Sequence, residues 1–249
     1  MSEYTAQRDG DDLKKRDQQK FREANILKPE SEKELQQWMF NGFGLFIKID
    51  HEKIQPPPSF IVVNEQDDLY TMHIPDLNMI IFNGEKSLRS GTHIGEEVSH
   101  CIRSKLQDEN DSEEEMTDEF FGYLGRCLMY QYMTIFPNNL CGHFFPNGPP
   151  SLEKDTLPVK EILKLIKRMR QKLAEIHGGS SDACPINKEG MEIEFRMRSL
   201  LAHTRGYQFA AKIDLNQIKN WEALYRMSNK EIRRRFFTDK PDYSGLSNQ

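Results

Sequence analysis

The stretch GTHIGEEVSHCIR, Gly91 to Arg103, places His93, Glu96, Glu97 and His100 within eight positions of a chain that has seven histidines in 249 residues. Imidazole and carboxylate bind divalent metals and exchange protons near neutral pH, so the cluster has the composition of a metal site or an acid–base site. On a helix at about 100° per residue, His93, Glu96, Glu97, His100 and Arg103 share one side. Ile94, Val98, Cys101 and Ile102 share the other. An ordinary amphipathic helix with a solvent-facing polar side has the same pattern, and periodicity alone does not separate the two readings. Glu96 and His100 lie one turn apart and can reach one ion, whereas His93 and His100 lie two turns apart, roughly 10 Å along the axis. A single ion would therefore take Glu96 and His100 with Glu97 beside it. It would reach His93 only if the helix starts irregularly at Thr92.

The elements that must position these residues can be read from pattern. SFIVVN, LYTMHIP and LNMIIFN are rich in β-branched and aromatic residues and read as strands, the last two as a hairpin around Pro75 and Asp76. GEKSLRSGT reads as the loop that leads into the His/Glu helix. Before the strands, Ser31 and Glu34 have capping-box spacing, and a short helix carrying Leu35, Trp38 and Met39 should end at Gly42 and Gly44. After the His/Glu helix the chain reads as helical. Ser112 to Glu115 can cap a helix through EEEMTDEFFGYLGRCLMYQYM, and PNNLCGHFFPNGPP is a long loop. PVKEILKLIKRMRQKLAEIHGG, MEIEFRMRSLLAHTRGYQFAAKI and a segment through IRRRFF capped by Ser228 with Glu231 supply three further helices. The expected fold class is α+β, predominantly helical. Residues 1–28 form a polar arm, either a loosely attached helix or disordered, and 29–249 form one domain, with sheet and site helices in 29–135 and a helical part in 136–249.

EEVSH has the register of H-E-x-x-H, with Glu96 in the place of the first histidine. The strand LNMIIFN precedes it, and eighteen residues separate His100 from Glu119 in MTDEFFGYLGR. Strand, helix and spaced glutamate together resemble the gluzincin metallopeptidases, with Asp118, Glu119, Phe121, Tyr123 and Leu124 similar to the family's second helix. The resemblance spans roughly residues 59 to 130. It implies a zincin-like fold, a small sheet carrying an active-site helix, with His100 and Glu119 as metal ligands and Glu97 as the general base that deprotonates the attacking water. Glu96 would be the third ligand. Glu96, His100 and Glu119 around a divalent ion would leave it near zero net charge rather than +1, which weakens water activation and favours manganese or iron over the zinc that the family implies. The resemblance also implies a downstream histidine or tyrosine steadying an oxyanion, and His203 and Tyr207 lie one turn apart on a late helix. The activity implied is hydrolysis of a peptide bond in a peptide or protein substrate. The rival is a non-catalytic, zincin-like binding or regulatory module whose site has degenerated at Glu96. A third class, a di-metal carboxylate protein, needs a second E-x-x-H, and the sequence has none.

The remaining signals are weaker. His143 lies in the long loop, Asp108 to Glu115 is an acidic connection, and RRRFF reads as a basic helix end rather than a phosphate-binding surface. A net charge of −5 gives no general attraction to nucleic acid or to an anionic membrane. Cys101, Cys127, Cys141 and Cys184 are too dispersed for a zinc knuckle and read as reduced thiols. Without an apolar span or a leader-like N-terminus the expected location is cytoplasmic. No phosphate-loop, dinucleotide or nucleophile-elbow motif occurs.

Overall fold

The computed structural model describes residues 14–66, 71–89, 92–108, 111, 114–136, 159–176 and 188–246. Ser112, the 137–150 loop with Cys141 and His143, the helix end at Gly178 and Gly179, and Cys184 lie outside these residues. The chain is predominantly helical with one three-stranded sheet, as α+β patterning predicts. Strands β1 (Ser59–Val63), β2 (Met72–Ile74) and β3 (Met79–Asn83) are arranged in the order β1-β3-β2. β3 runs parallel to β1, with Ser59 opposite Met79, and antiparallel to β2, with His73 opposite Ile80. The expected hairpin is present, turned by Pro75–Leu77 and by Asn78 in the left-handed region.

Alternation along the strands splits their side chains between two faces. Phe60, Val62, Ile80 and Phe82 enter the main core beneath the helices, while Ile61, Val63, Met79 and Ile81 form a smaller cluster on the other side. That second face is covered by Phe21 of α1, which is described over residues 14–23. Asn25 Oδ1 accepts from the Val62 N–H at 3.0 Å, and the Ile26 N–H donates to Val62 O at 2.8 Å. Of the two alternatives for the N-terminal segment, residues 14–23 form the helix, attached to the sheet through Phe21, Asn25 and Ile26.

Two boundary expectations are corrected. The first core helix starts at Pro29 with Lys28 as its cap and no side-chain capping bond, so Ser31 lies inside it. It runs as α2 (Pro29–Leu35), continues as a π-helical stretch through Gly42, and ends as α3 (Phe43–Phe46). Its glycines admit neighbours instead of stopping the helix: a Cβ on Gly42 would lie 2.5 Å from the Tyr132 hydroxyl, and one on Gly44 2.7 Å from Ile54 Cδ1. GEKSLR, expected as loop, is the short helix α4 (Gly84–Arg89).

The site is built on α5 (Thr92–Leu106), α6 (Glu115–Ile135) and α8 (Lys188–Ala210); α7 (Val159–Ile176) packs on α8. α5 and α6 cross where glycine meets glycine, since a Cβ on Gly95 would lie 2.6 Å from Gly125 O and one on Gly125 2.2 Å from Gly95 O. α8 approaches α6 through Gly206, whose Cβ would lie 2.7 Å from the Phe120 nitrogen and 2.8 Å from Glu119 Cβ. α9 (Trp221–Arg226) and α10 (Asn229–Phe236) close the far end, α10 capped by Ser228 as expected. Arg103, 1% exposed, ties them to α5 by donating to Tyr225 O and, at 3.1 Å, to Asn229 Oδ1. RRRFF is used internally: Arg233 pairs with Glu114, Arg234 with Glu231, and Arg235 is buried against Asp242 O. No helix among the described residues is long and apolar enough to cross a membrane.

Candidate metal centre

The polar side of α5 does not face solvent. Glu96 is 4% exposed and Glu97 5%, because α6 covers that side and α8 contributes Tyr207 from beyond it. Buried carboxylates cost several kcal/mol unless they are paired or neutralised. The two adjacent glutamates meet that requirement in opposite ways. Glu96 Oε2 accepts from Arg126 Nε at 2.9 Å and also from Nη2, while Oε1 accepts from the Tyr207 hydroxyl at 2.7 Å. Burial alone would raise the Glu96 carboxyl; His93, Arg126, His100 and Tyr207 outweigh it and hold the group ionised, well below the usual range. Burial, with the charges of Glu96 and Glu119, pushes Glu97 well above the usual range despite the His73 backbone N–H that it accepts and the more distant pull of Arg126. Of the pair, it is the one whose neutral form is favoured.

Glu119 lies on α6 and reaches the same point. Its buried Oε2 sits 2.5 Å from His203 Nδ1 on α8 and has no other hydrogen-bond partner. Glu96, Glu119 and His203 each present one ligand atom, and these atoms lie within 4.8 Å of one another. Burial lowers the His203 imidazole, but Glu119 and Glu96 more than reverse this and raise it. Burial beside Glu96 likewise pushes Tyr207 well above its ordinary value. No family of known proteins, no curated protein and no solved structure matches this chain.

Four of the seven expected site residues change place. His203, expected to steady an oxyanion, joins the ligand group, and Tyr207 orients Glu96. His100 and His93, expected as ligands, fall outside that group. The His100 ring lies against the α6 backbone, where a Cβ on Gly122 would be 2.8 Å from its Nε2. His93 Nδ1 is 3.5 Å from Glu96 Oε2, the oxygen already held by Arg126. Glu96 and Glu119 meet in one group, and Glu97 lies buried beside Glu96 on α5. Arg126 was missed. It follows Glu119 by seven residues, two turns along the same face of α6, and a glutamate in a histidine's place called for a search of such faces for a cation.

The donor set suits a divalent ion. Two carboxylates and an imidazole bind zinc, manganese or iron, and a buried carboxylate oxygen with no partner besides His203 is one that an ion would satisfy. Two ligands of one tetrahedral ion at about 2.0–2.1 Å stand roughly 3.3 Å apart. Glu119 and His203, at 2.5 Å, would need to separate by somewhat less than an ångström.

Proposed function

We propose that the protein is a metal-dependent hydrolase of zincin-like architecture, in which Glu96, Glu119 and His203 hold a divalent ion and Glu97 is the general base. The observation that carries this reading is the convergence of one ligand atom each from Glu96, Glu119 and His203 within 4.8 Å of one another, two of the three residues being buried. When bound, a divalent ion supplies Lewis-acid polarisation of water and of a substrate carbonyl. Tyr207 and Arg126 fix the Glu96 carboxylate from its two ends. The His73 N–H seats Glu97 one residue from the Glu96 ligand, on the polar side of α5. A neighbouring dication would oppose the burial and the carboxylate charges that raise Glu97 and so favour the form that accepts a proton from water. The substrate class is an amide bond in a peptide or protein.

One observation favours a second reading. Arg126 already engages Glu96, and His203 already faces Glu119, so two ion pairs can close the cluster without an ion, as in a non-catalytic relic. Metal analysis of protein purified without chelator or nickel resin separates the two. The hydrolase reading expects one ion per chain, at least about tenfold weaker binding in Glu119→Gln and His203→Ala, and Glu97→Gln that keeps the ion but loses hydrolysis. No ion as purified, and none on titration with zinc, manganese or ferrous iron, leaves the relic.

A further inference from the structure

We infer that Arg126 is a positioning and charge-balancing residue of this site, forming with Glu96 a unit of zero net charge that takes the place of a neutral imidazole ligand. The inference rests on the ion-binding reading above and concerns what the chain does with the glutamate at position 96. Counted alone, Glu96 and Glu119 would cancel a divalent ion completely. With the Arg126 guanidinium fixed on Glu96, the protein contributes one net negative charge and the ion keeps about +1, the balance found when one carboxylate and two neutral imidazoles bind the metal.

The geometry matches this role. Arg126 is 6% exposed and engages Oε2 of Glu96 through two nitrogens, so it cannot leave for solvent as a surface arginine would. Its guanidinium stacks 5.2 Å from the Tyr207 ring, and the Tyr207 hydroxyl holds Oε1 of the same carboxylate. The carboxylate is fixed from both ends: Oε2 accepts both guanidinium nitrogens, and Oε1, with one bond from Tyr207, retains a lone pair for an ion. An ion pair serving packing alone would be complete with Arg126 and Glu96; here Glu119 and His203 converge on the same carboxylate. A histidine at position 96 would therefore be harmful alone. It would leave a buried guanidinium unpaired beside the ion, with the net charge raised by one unit.

The test uses full-length, ion-stripped protein, titrated with manganese and with zinc by calorimetry, with folding checked by circular dichroism. Arg126→Gln removes a positive charge one carboxylate away from the ion while Tyr207 still orients Glu96, so binding should tighten by about tenfold or more. Arg126→Lys keeps the charge and should stay within about threefold of wild type. Glu96→His should bind at least about tenfold more weakly than Glu96→His combined with Arg126→Gln, because only the pair exchanges as a unit. A purely structural arginine predicts weaker binding in Arg126→Gln and no rescue in the double variant, and either result in folded protein overturns the inference. If Glu96→His does not fold, the sign of the Arg126→Gln change decides. Failure of the wild type and of every variant to bind an ion overturns the ion-binding reading and this inference with it. Wild-type binding without the Arg126 effects overturns this inference alone.

Discussion

Gly206→Ala tests whether the α6–α8 crossing sets the site. The added Cβ would lie 2.7 Å from the Phe120 nitrogen, 2.8 Å from Glu119 Cβ and 2.8 Å from Met116 O. None of these three atoms can rotate away, since two are backbone and the third is a Cβ. Overpacking costs about 1–3 kcal/mol, and rigid neighbours on every side put this case near the upper figure. Against it stands the helix preference of alanine over glycine, worth about 1 kcal/mol. The net loss is about 2 kcal/mol, which lowers the melting temperature of a chain this long by roughly 4–8 °C. Relief to ordinary contact moves α8 by roughly 0.6 Å, and His203, one turn before Gly206, moves with it. Thermal melting of ion-free protein followed by circular dichroism, with a parallel metal titration, reads both effects. The control is Gly122→Ala, whose nearest neighbour at 2.8 Å is the His100 ring, a side-chain end that can shift, and which should cost less than about 1 kcal/mol. A Gly206→Ala protein that melts at or above the wild-type temperature would refute the close crossing and the positioning assigned to it.

Arg103→Ala, outside the Glu96, Glu119 and His203 group, should cost about 3–5 kcal/mol in urea unfolding by emptying a buried site and removing the guanidinium's bonds to the Tyr225 carbonyl and Asn229 Oδ1, while leaving metal affinity of the folded protein unchanged. Burial, with His100 and Lys105 nearby, lowers His73 from its ordinary 6.5 to about 3, so folding favours its neutral form. That contribution is complete above pH about 6.5 and is lost as pH falls toward about 3, roughly 2–3 kcal/mol by pH 4 after allowance for partial exposure. Urea unfolding at pH 7 and pH 4 should show a smaller drop in His73→Asn. Glu97 has the opposite sign: its raised folded value means stability present at low pH and lost as pH rises through that value. Glu97→Gln should therefore raise the melting temperature of ion-free protein at neutral pH, and an unchanged or lower value would contradict the buried, protonated state assigned to it.

Much of the scaffold was legible because it follows local periodicity. The strands SFIVVN and LNMIIFN, the hairpin at Pro75 and the late helices come from runs whose own spacing declares them. The meeting of Glu96 with Glu119 was legible from the resemblance and its eighteen-residue gap. That His203 rather than His100 stands with them was not, because it depends on which face of α6 each neighbour meets, and Gly122 and Gly206 mark where His100 and α8 approach it. Glycine was read as a helix terminator at 42 and 44, and the same habit hid the close crossings at 95, 125 and 206. Burial of Glu96 was hidden for a related reason. A helix wheel reports polarity, and a polar side covered by other helices looks the same in sequence as one facing water.

Both long sides of the small sheet are occupied. Asn25 and Ile26 close the outer side of β1, and the His73 N–H of β2 turns away from β3 to Glu97. Strand-by-strand growth needs free donors along an edge, so among the described residues this sheet offers no template on which another chain could extend it. An extended chain that paired along β2 at His73 would have to take the donor that Glu97 accepts, so pairing at this edge and the seating of Glu97 on α5 exclude each other.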